Sequence, residues 1–253
     1  MNEIDKTTPE PASLPSDEPP PTLKRFLLQA VLWLPLAFLL WYLLRSAVIA
    51  PAVRLAGWAL TSWLPEVYKA AGQEYDHFAY VVLANVAGVQ GLPSNEIAVT
   101  LQANAMMYCY GVAVLVGLVM ATPLDWKRTF AQLGIGLLAM VPTQAFSLVG
   151  DALKTAAYDL SAAVSAGVID AGFPDAATAA GARAAGAAQA ALALHGLGAE
   201  TIGLWYQFGY LILPPIVPVV IWILLNSRFI ESLGARLAPV RGTARRRRGP
   251  SAP

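Results

Sequence analysis

The sequence predicts an all-α integral membrane protein, with about four transmembrane helices, a small extracytoplasmic β-hairpin and an Ala-rich outer helix. Three observations carry this. Phe26–Leu44 holds no charge across nineteen positions, with Lys24 and Arg25 immediately before it. At 1.5 Å per residue that is about 28 Å of helix, close to the roughly 30 Å hydrocarbon core of a bilayer. The chain is 57% hydrophobic and only 13% charged, a balance foreign to ordinary soluble domains. Its apolar mass also falls into discrete blocks, which favours one helical membrane unit over two soluble domains.

Residues 1–22 are polar and proline-rich, can bury almost nothing, and read as a disordered cytoplasmic tail. A cleaved leader is the competing reading of the start. Its apolar core is normally shorter and follows a basic stretch, and here the leader is acidic. The first span, near 26–44, carries Pro35 inside it and Trp41 and Tyr42 near its outer end, where aromatic rings anchor at the interface. Arg45 closes the run, and its long stem can reach the headgroups.

The external segment 46–104 follows. Val48–Leu64 is apolar enough to touch the membrane, but Pro51, Arg54 and Pro65 disfavour a second full span. An interfacial or re-entrant helix is expected, with a continuous long hairpin as its rival. Phe78–Val86 and Glu96–Gln102 are β-rich, and in the second Ile97, Val99 and Leu101 alternate with polar or small residues. They predict a hairpin outside the membrane, either a structural cap or an edge for an extended peptide.

The second span is near 105–123 and the third near 129–150, separated by the basic loop Asp125–Arg128. Small residues such as Gly134 and Gly136 allow close helix approach. The external segment 151–203 is rich in Ala and Gly. Residues 152–168 extend the third span outward, and 176–194 suit a further helix because Ala is the best helix former. That helix belongs on the outer surface, or else against the bundle. The last span, near 204–225, contains Pro214, Pro215 and Pro218, which predict a kink or interruption. Residues 231–253 form a basic cytoplasmic tail.

Charge sets the expected sidedness. Lys24, Arg25, Lys127, Arg128 and the arginines from 228 onward fall on one side, and fewer basic residues fall on the other. By the positive-inside rule both termini are cytoplasmic in a multi-pass membrane protein. Arg245, Arg246, Arg247 and Arg248 are candidates for contact with anionic lipid. Nucleic acid is not expected as a partner of this run beside a membrane span.

Little of the sequence suggests chemistry. Cys109 is the lone cysteine and a weak candidate nucleophile. His77 and Arg45 are its conceivable partners, and a buried inert thiol is the alternative. No spacing fits a metal site, and no cofactor motif is present. Gln144, Asp151 and Lys154 lie close to one helix face, with Asp151 and Lys154 spaced to pair. They form a possible polar patch at the outer mouth, or simply bond between helices.

Five stretches carry a resemblance: RFLLQAVLWLPLAFLLWY from Arg25, RLAGW at 54–58, NAMMYCYG at 104–111, ATPLDWKR at 121–128 and YQFGYLILPPIVPVVIW at 206–222. Together they resemble the exosortase H-associated membrane proteins, small bacterial inner-membrane proteins found with an exosortase sorting system. The resemblance implies a non-catalytic accessory role in sorting or export. The implied partners are an exosortase or its C-terminally tailed substrates, besides the lipid bilayer, and a homo-oligomer is open. It supplies no catalytic residue. A Cys-dependent peptidase or transpeptidase of exosortase type is the alternative function, and a component of small-solute transport is the second. Exosortases use a Cys, an Arg and a His near the outer face, and the spans after Cys109 lack the last two.

Overall fold

The computed structural model describes residues 23–231. Of the tails expected at 1–22 and 231–253, all but Glu231 lies outside the described residues, Arg245–Arg248 included. Four helical stretches form the apolar bundle: α1 (Leu23–Leu43), α4 (Gly111–Ala121), α5 (Trp126–Lys154) and α9 (Leu213–Leu225). They touch as α1 on α4, α4 on α5, and both α4 and α5 on α9. Small residues set these contacts. A Cβ on Gly117 would stand 2.7 Å from Leu34, and one on Gly136 2.8 Å from Leu115, so each glycine admits a neighbouring leucine.

Among the described residues, three continuous helices are long and apolar enough to cross a membrane: Leu23–Leu43, Trp126–Asp170 and Ala199–Leu225. The expected second span is shorter than its sequence block. Apolar helix occupies Met106–Ala121, about 24 Å, and it divides into α3 (Met106–Cys109) and α4 at Tyr110. Strand residues occupy the chain up to Asn104, and a helix stop at Thr122 precedes Pro123.

Residues 152–168 do extend the third span. α5 passes through a π turn at Thr155–Asp159 into α6 (Leu160–Asp170). The prolines of the last span do not break it. α8 (Ala199–Gln207) runs through a second π turn, Phe208–Ile212, directly into α9. Pro214 and Pro215 sit in the first turn of α9, where a missing N–H is tolerated, and the wider turn before them absorbs the ring clash.

The expected hairpin proves to be a three-stranded antiparallel sheet in the order β1-β2-β3. β2 (His77–Asn85) and β3 (Glu96–Asn104) are the expected pair, and β1 (Tyr68–Glu74) is an addition. YKAAGQE has little strand propensity of its own. It is held by pairing with β2, from Glu74↔His77 to Tyr68↔Val82 with a bulge at Lys69. Tyr75, at φ 56°, makes the tight turn between them.

α2 (Arg45–Trp63) is one continuous helix. Its Ile49, Ala52, Val53, Ala56 and Leu60 are fully buried, and it packs on α5 and β1. Arg54 and Trp58 stay exposed on the other face. The Ala-rich helix is α7 (Pro174–Leu194), which lies against α6 and β2 through Ala176, Ala180, Ala184, Ala188 and Leu192. Sheet, α6 and α7 thus form a cap over the end of the bundle remote from Trp126.

Candidate functional site at the junction of cap and bundle

Two polar groups stand where the cap meets the bundle. The first is built on Arg45, at the corner between α1 and α2. Its Nε donates to Asp76 Oδ2 at 3.1 Å and its Nη2 donates to the Tyr75 hydroxyl at 2.6 Å. The guanidinium also lies 4.6 Å from the Tyr42 ring centre and 4.9 Å from that of Tyr75, within cation–π range. His77 Nδ1 pairs with the other Asp76 oxygen at 2.7 Å. Partial burial pushes the Asp76 carboxyl up, but its bonds from Arg45 and His77 outweigh that and leave it below its ordinary value. Gln73 fastens the turn to the helix corner by donating to the Ser46 and Tyr75 carbonyls.

The second group holds Asp151 and Lys154. Gln144, the third residue of the expected patch, lies on the same helix and is buried, and its Nε2 has no hydrogen-bond partner among the described residues. Asp151 faces Tyr108, which also interacts with Tyr206. Lys154 does not take Asp151 as its ion-pair partner. It pairs with Asp159, because the π turn brings residue i+5 round to where an α-helix would bring i+4. Lys154 Nζ also lies 5.7 Å from the Tyr206 ring centre, and Tyr206 stacks on Tyr210 at 5.5 Å and 5°. Tyr108, Asp159 and Tyr206 escaped the sequence reading. The one signal for the two tyrosines was the density of Tyr at the ends of the apolar blocks, and Asp159 had none.

Tyr68 and Tyr80 seal the junction from the sheet side. The Tyr68 hydroxyl donates to the Ala152 carbonyl at 2.8 Å, and burial pushes that phenol well up from its ordinary range. A third contact, Glu66 with His195 Nε2 at 2.6 Å, ties the end of α2 to the end of α7. Its own backbone N–H and His195 hold the Glu66 carboxyl below its usual value.

The structure therefore joins Arg45 to His77, through Asp76, but leaves Cys109 elsewhere. Cys109 is fully buried in the apolar core and makes no hydrogen bond among the described residues. His77, by contrast, is partly open to solvent. No group of three or more His, Cys, Asp or Glu side chains able to hold a metal occurs among the described residues. The arrangement presents a carboxylate, an imidazole, an ammonium and several phenols at the junction of cap and bundle.

The profile of the exosortase H-associated membrane protein family matches residues 20–181 and 176–229. No curated protein and no solved structure matches the chain. With most of its length accounted for by that profile, the chain belongs to the exosortase H-associated membrane protein family.

Proposed function

We propose that this protein is a non-catalytic accessory component of a bacterial exosortase-type sorting or export system, embedded in the inner membrane. Family membership supports the association with an exosortase. The observation that carries the non-catalytic part is the fully buried Cys109 thiol. A nucleophilic thiolate needs access and a neighbouring cation or base, whereas Arg45 and His77 are both committed to Asp76.

The proposed topology has both termini in the cytoplasm. It is supported by the grouping of Lys24, Arg25, Lys127, Arg128 and Arg228 at one end of the bundle, where Phe26 packs on Phe229 at 5.7 Å. The cap then projects to the outer face, with its sheet and the Asp76 and Lys154 groups available to an exosortase or to a tailed substrate.

The test is sorting of a tailed substrate in cells carrying Cys109→Ala in place of the natural chain. Unchanged sorting is the expected result, and loss of sorting despite normal protein levels would favour the Cys-dependent enzyme. Cross-linked purification from native membranes should recover an exosortase. Recovery of this chain alone, under conditions that retain other membrane complexes, would remove the accessory reading.

A further inference from the structure

At the end of the bundle opposite the cap, a cavity of about 420 Å³ opens between the start of α5 and the residues after α9. Its floor is Gln132 and Asn226, which exchange amide bonds in both directions, Gln132 Nε2 to Asn226 Oδ1 at 3.0 Å and Asn226 Nδ2 to Gln132 Oε1 at 3.1 Å. Their remaining reach goes to the carbonyls of Leu225 and Trp222. The floor is therefore satisfied from within, and the donors left to a guest are those of the walls. Arg128 stands on one wall, Arg228 and Ser227 on the other, with Leu124 and Phe229 completing the lining.

We propose that this cavity binds the phosphate of an anionic phospholipid headgroup, between Arg128 and Arg228. The charge fits. Arg128 has one acidic partner, Asp125 at 3.3 Å, both well exposed, and a guanidinium with five donors keeps others free. Arg228 has no ion pair among the described residues. The position fits as well. The cavity lies where the exposed apolar shell of α5 and α9 ends, marked by Phe130 and Leu224 on the apolar side and the exposed indole of Trp126 beside it, which is headgroup level in a bilayer. Paired guanidiniums donate to the phosphate oxygens, and the apolar wall takes the glycerol and first methylenes. A free phosphate ion would share the arginines but leave that wall unused. The inference rests on membrane insertion alone and not on any sorting role.

The experiment uses the purified full chain in detergent, with Arg245–Arg248 replaced by Gln so that the tail's own attraction is absent. Native mass spectrometry follows binding of phosphatidylglycerol, phosphatidylcholine and inorganic phosphate. The expected result is a roughly tenfold preference for phosphatidylglycerol over phosphatidylcholine. Arg128→Gln with Arg228→Gln removes it, and Arg183→Gln, at the far end of the molecule, keeps it. Ser227→Asp, which places an anion in the cavity, removes it too and decides the matter if the double variant does not fold. Equal binding of the two lipids, a preference that survives Ser227→Asp, or displacement of phosphatidylglycerol by equimolar phosphate would each overturn the proposal.

Discussion

Arg45 and Asp76 are 31 positions apart in the chain, and the 3.1 Å bond between them joins the corner of α1 and α2 to the turn between β1 and β2. Arg45 is where the apolar run of the first span ends, and Asp76 is where the tight turn at Tyr75 must be held. One ion pair therefore fastens the turn between β1 and β2 to the corner of α1 and α2. Tyr42 and Tyr75 stack on the same guanidinium, so the charge is sandwiched as well as paired.

Acid should loosen this joint first. The folded Asp76 carboxyl titrates below its unfolded value, so its contribution is complete above the ordinary carboxylate range, at about pH 3.9, and is lost as pH falls through the lower folded value. Glu66, held down by its own backbone N–H and by His195, has the same sign. Hydrogen exchange of residues 68–85 should quicken as pH drops below about 4 relative to the intrinsic rate. Asp76→Asn should show the faster rate already at neutral pH. If that variant exchanged like the natural chain, the pair would not be what holds the turn.

The parts of the fold legible in the sequence are those fixed by local pattern. The first span could be read from Phe26–Leu44 because nineteen uncharged positions leave no other solvent. β3 could be read from the alternation at Ile97, Val99 and Leu101. What stayed hidden depends on distant partners or on irregular turns. β1 is held by β2 rather than by its own residues. The pairing of Lys154 with Asp159 depends on a π turn that no spacing rule for an α-helix supplies. Arg45 and His77 were visible as candidates, but the carboxylate between them was not, because Asp76 finds Arg45 only once the turn forms.

The helical hairpin of α6 and α7 should be intolerant of any side chain at Gly181. A Cβ there would stand 2.2 Å from Ser165 Oγ and 2.4 Å from the Ser161 carbonyl. Ser165 can rotate, but it donates to the Ala177 carbonyl at 3.0 Å, and the Ser161 carbonyl belongs to the helix backbone. Gly181→Ala is expected to cost about 1–3 kcal/mol as overpacking, read as a lower midpoint of thermal unfolding in detergent. Gly186→Ala is the control. Nothing lies within 4 Å of a Cβ at Gly186, and the higher helix propensity of Ala should leave that variant at least as stable.

Trp222 offers a test within the bundle. Its Nε1 donates to Thr122 Oγ1 at 2.9 Å, with both residues buried, and Phe26 stacks on its ring at 5.5 Å. Thr122→Val keeps the shape and strands the indole N–H. The expected loss is about 0.6–2 kcal/mol, the range for polar bonds between membrane helices, measured by unfolding in mixed micelles. Thr122→Ser retains the hydroxyl and should recover most of it. Equal losses in the two variants would assign the effect to the methyl group instead.

Tyr68 and Tyr80 are neighbours of opposite expected behaviour. Their rings meet edge to face at 5.8 Å, and both are fully buried. The Tyr68 hydroxyl donates to the Ala152 carbonyl, so it links β1 to α5. The Tyr80 hydroxyl lies near Thr155 but makes no hydrogen bond of good geometry among the described residues. Removing a satisfied hydroxyl costs its bond and leaves a carbonyl without its donor, whereas removing an orphaned one relieves a desolvation penalty. Tyr68→Phe should therefore destabilise by about 1–2 kcal/mol, and Tyr80→Phe should be neutral or stabilising. Burial pushes both phenols up, so neither difference should vary between about pH 6 and about pH 9. Thermal unfolding of the two variants beside the natural chain measures the contrast. A larger loss for Tyr80→Phe than for Tyr68→Phe would place the link between sheet and bundle on the wrong tyrosine.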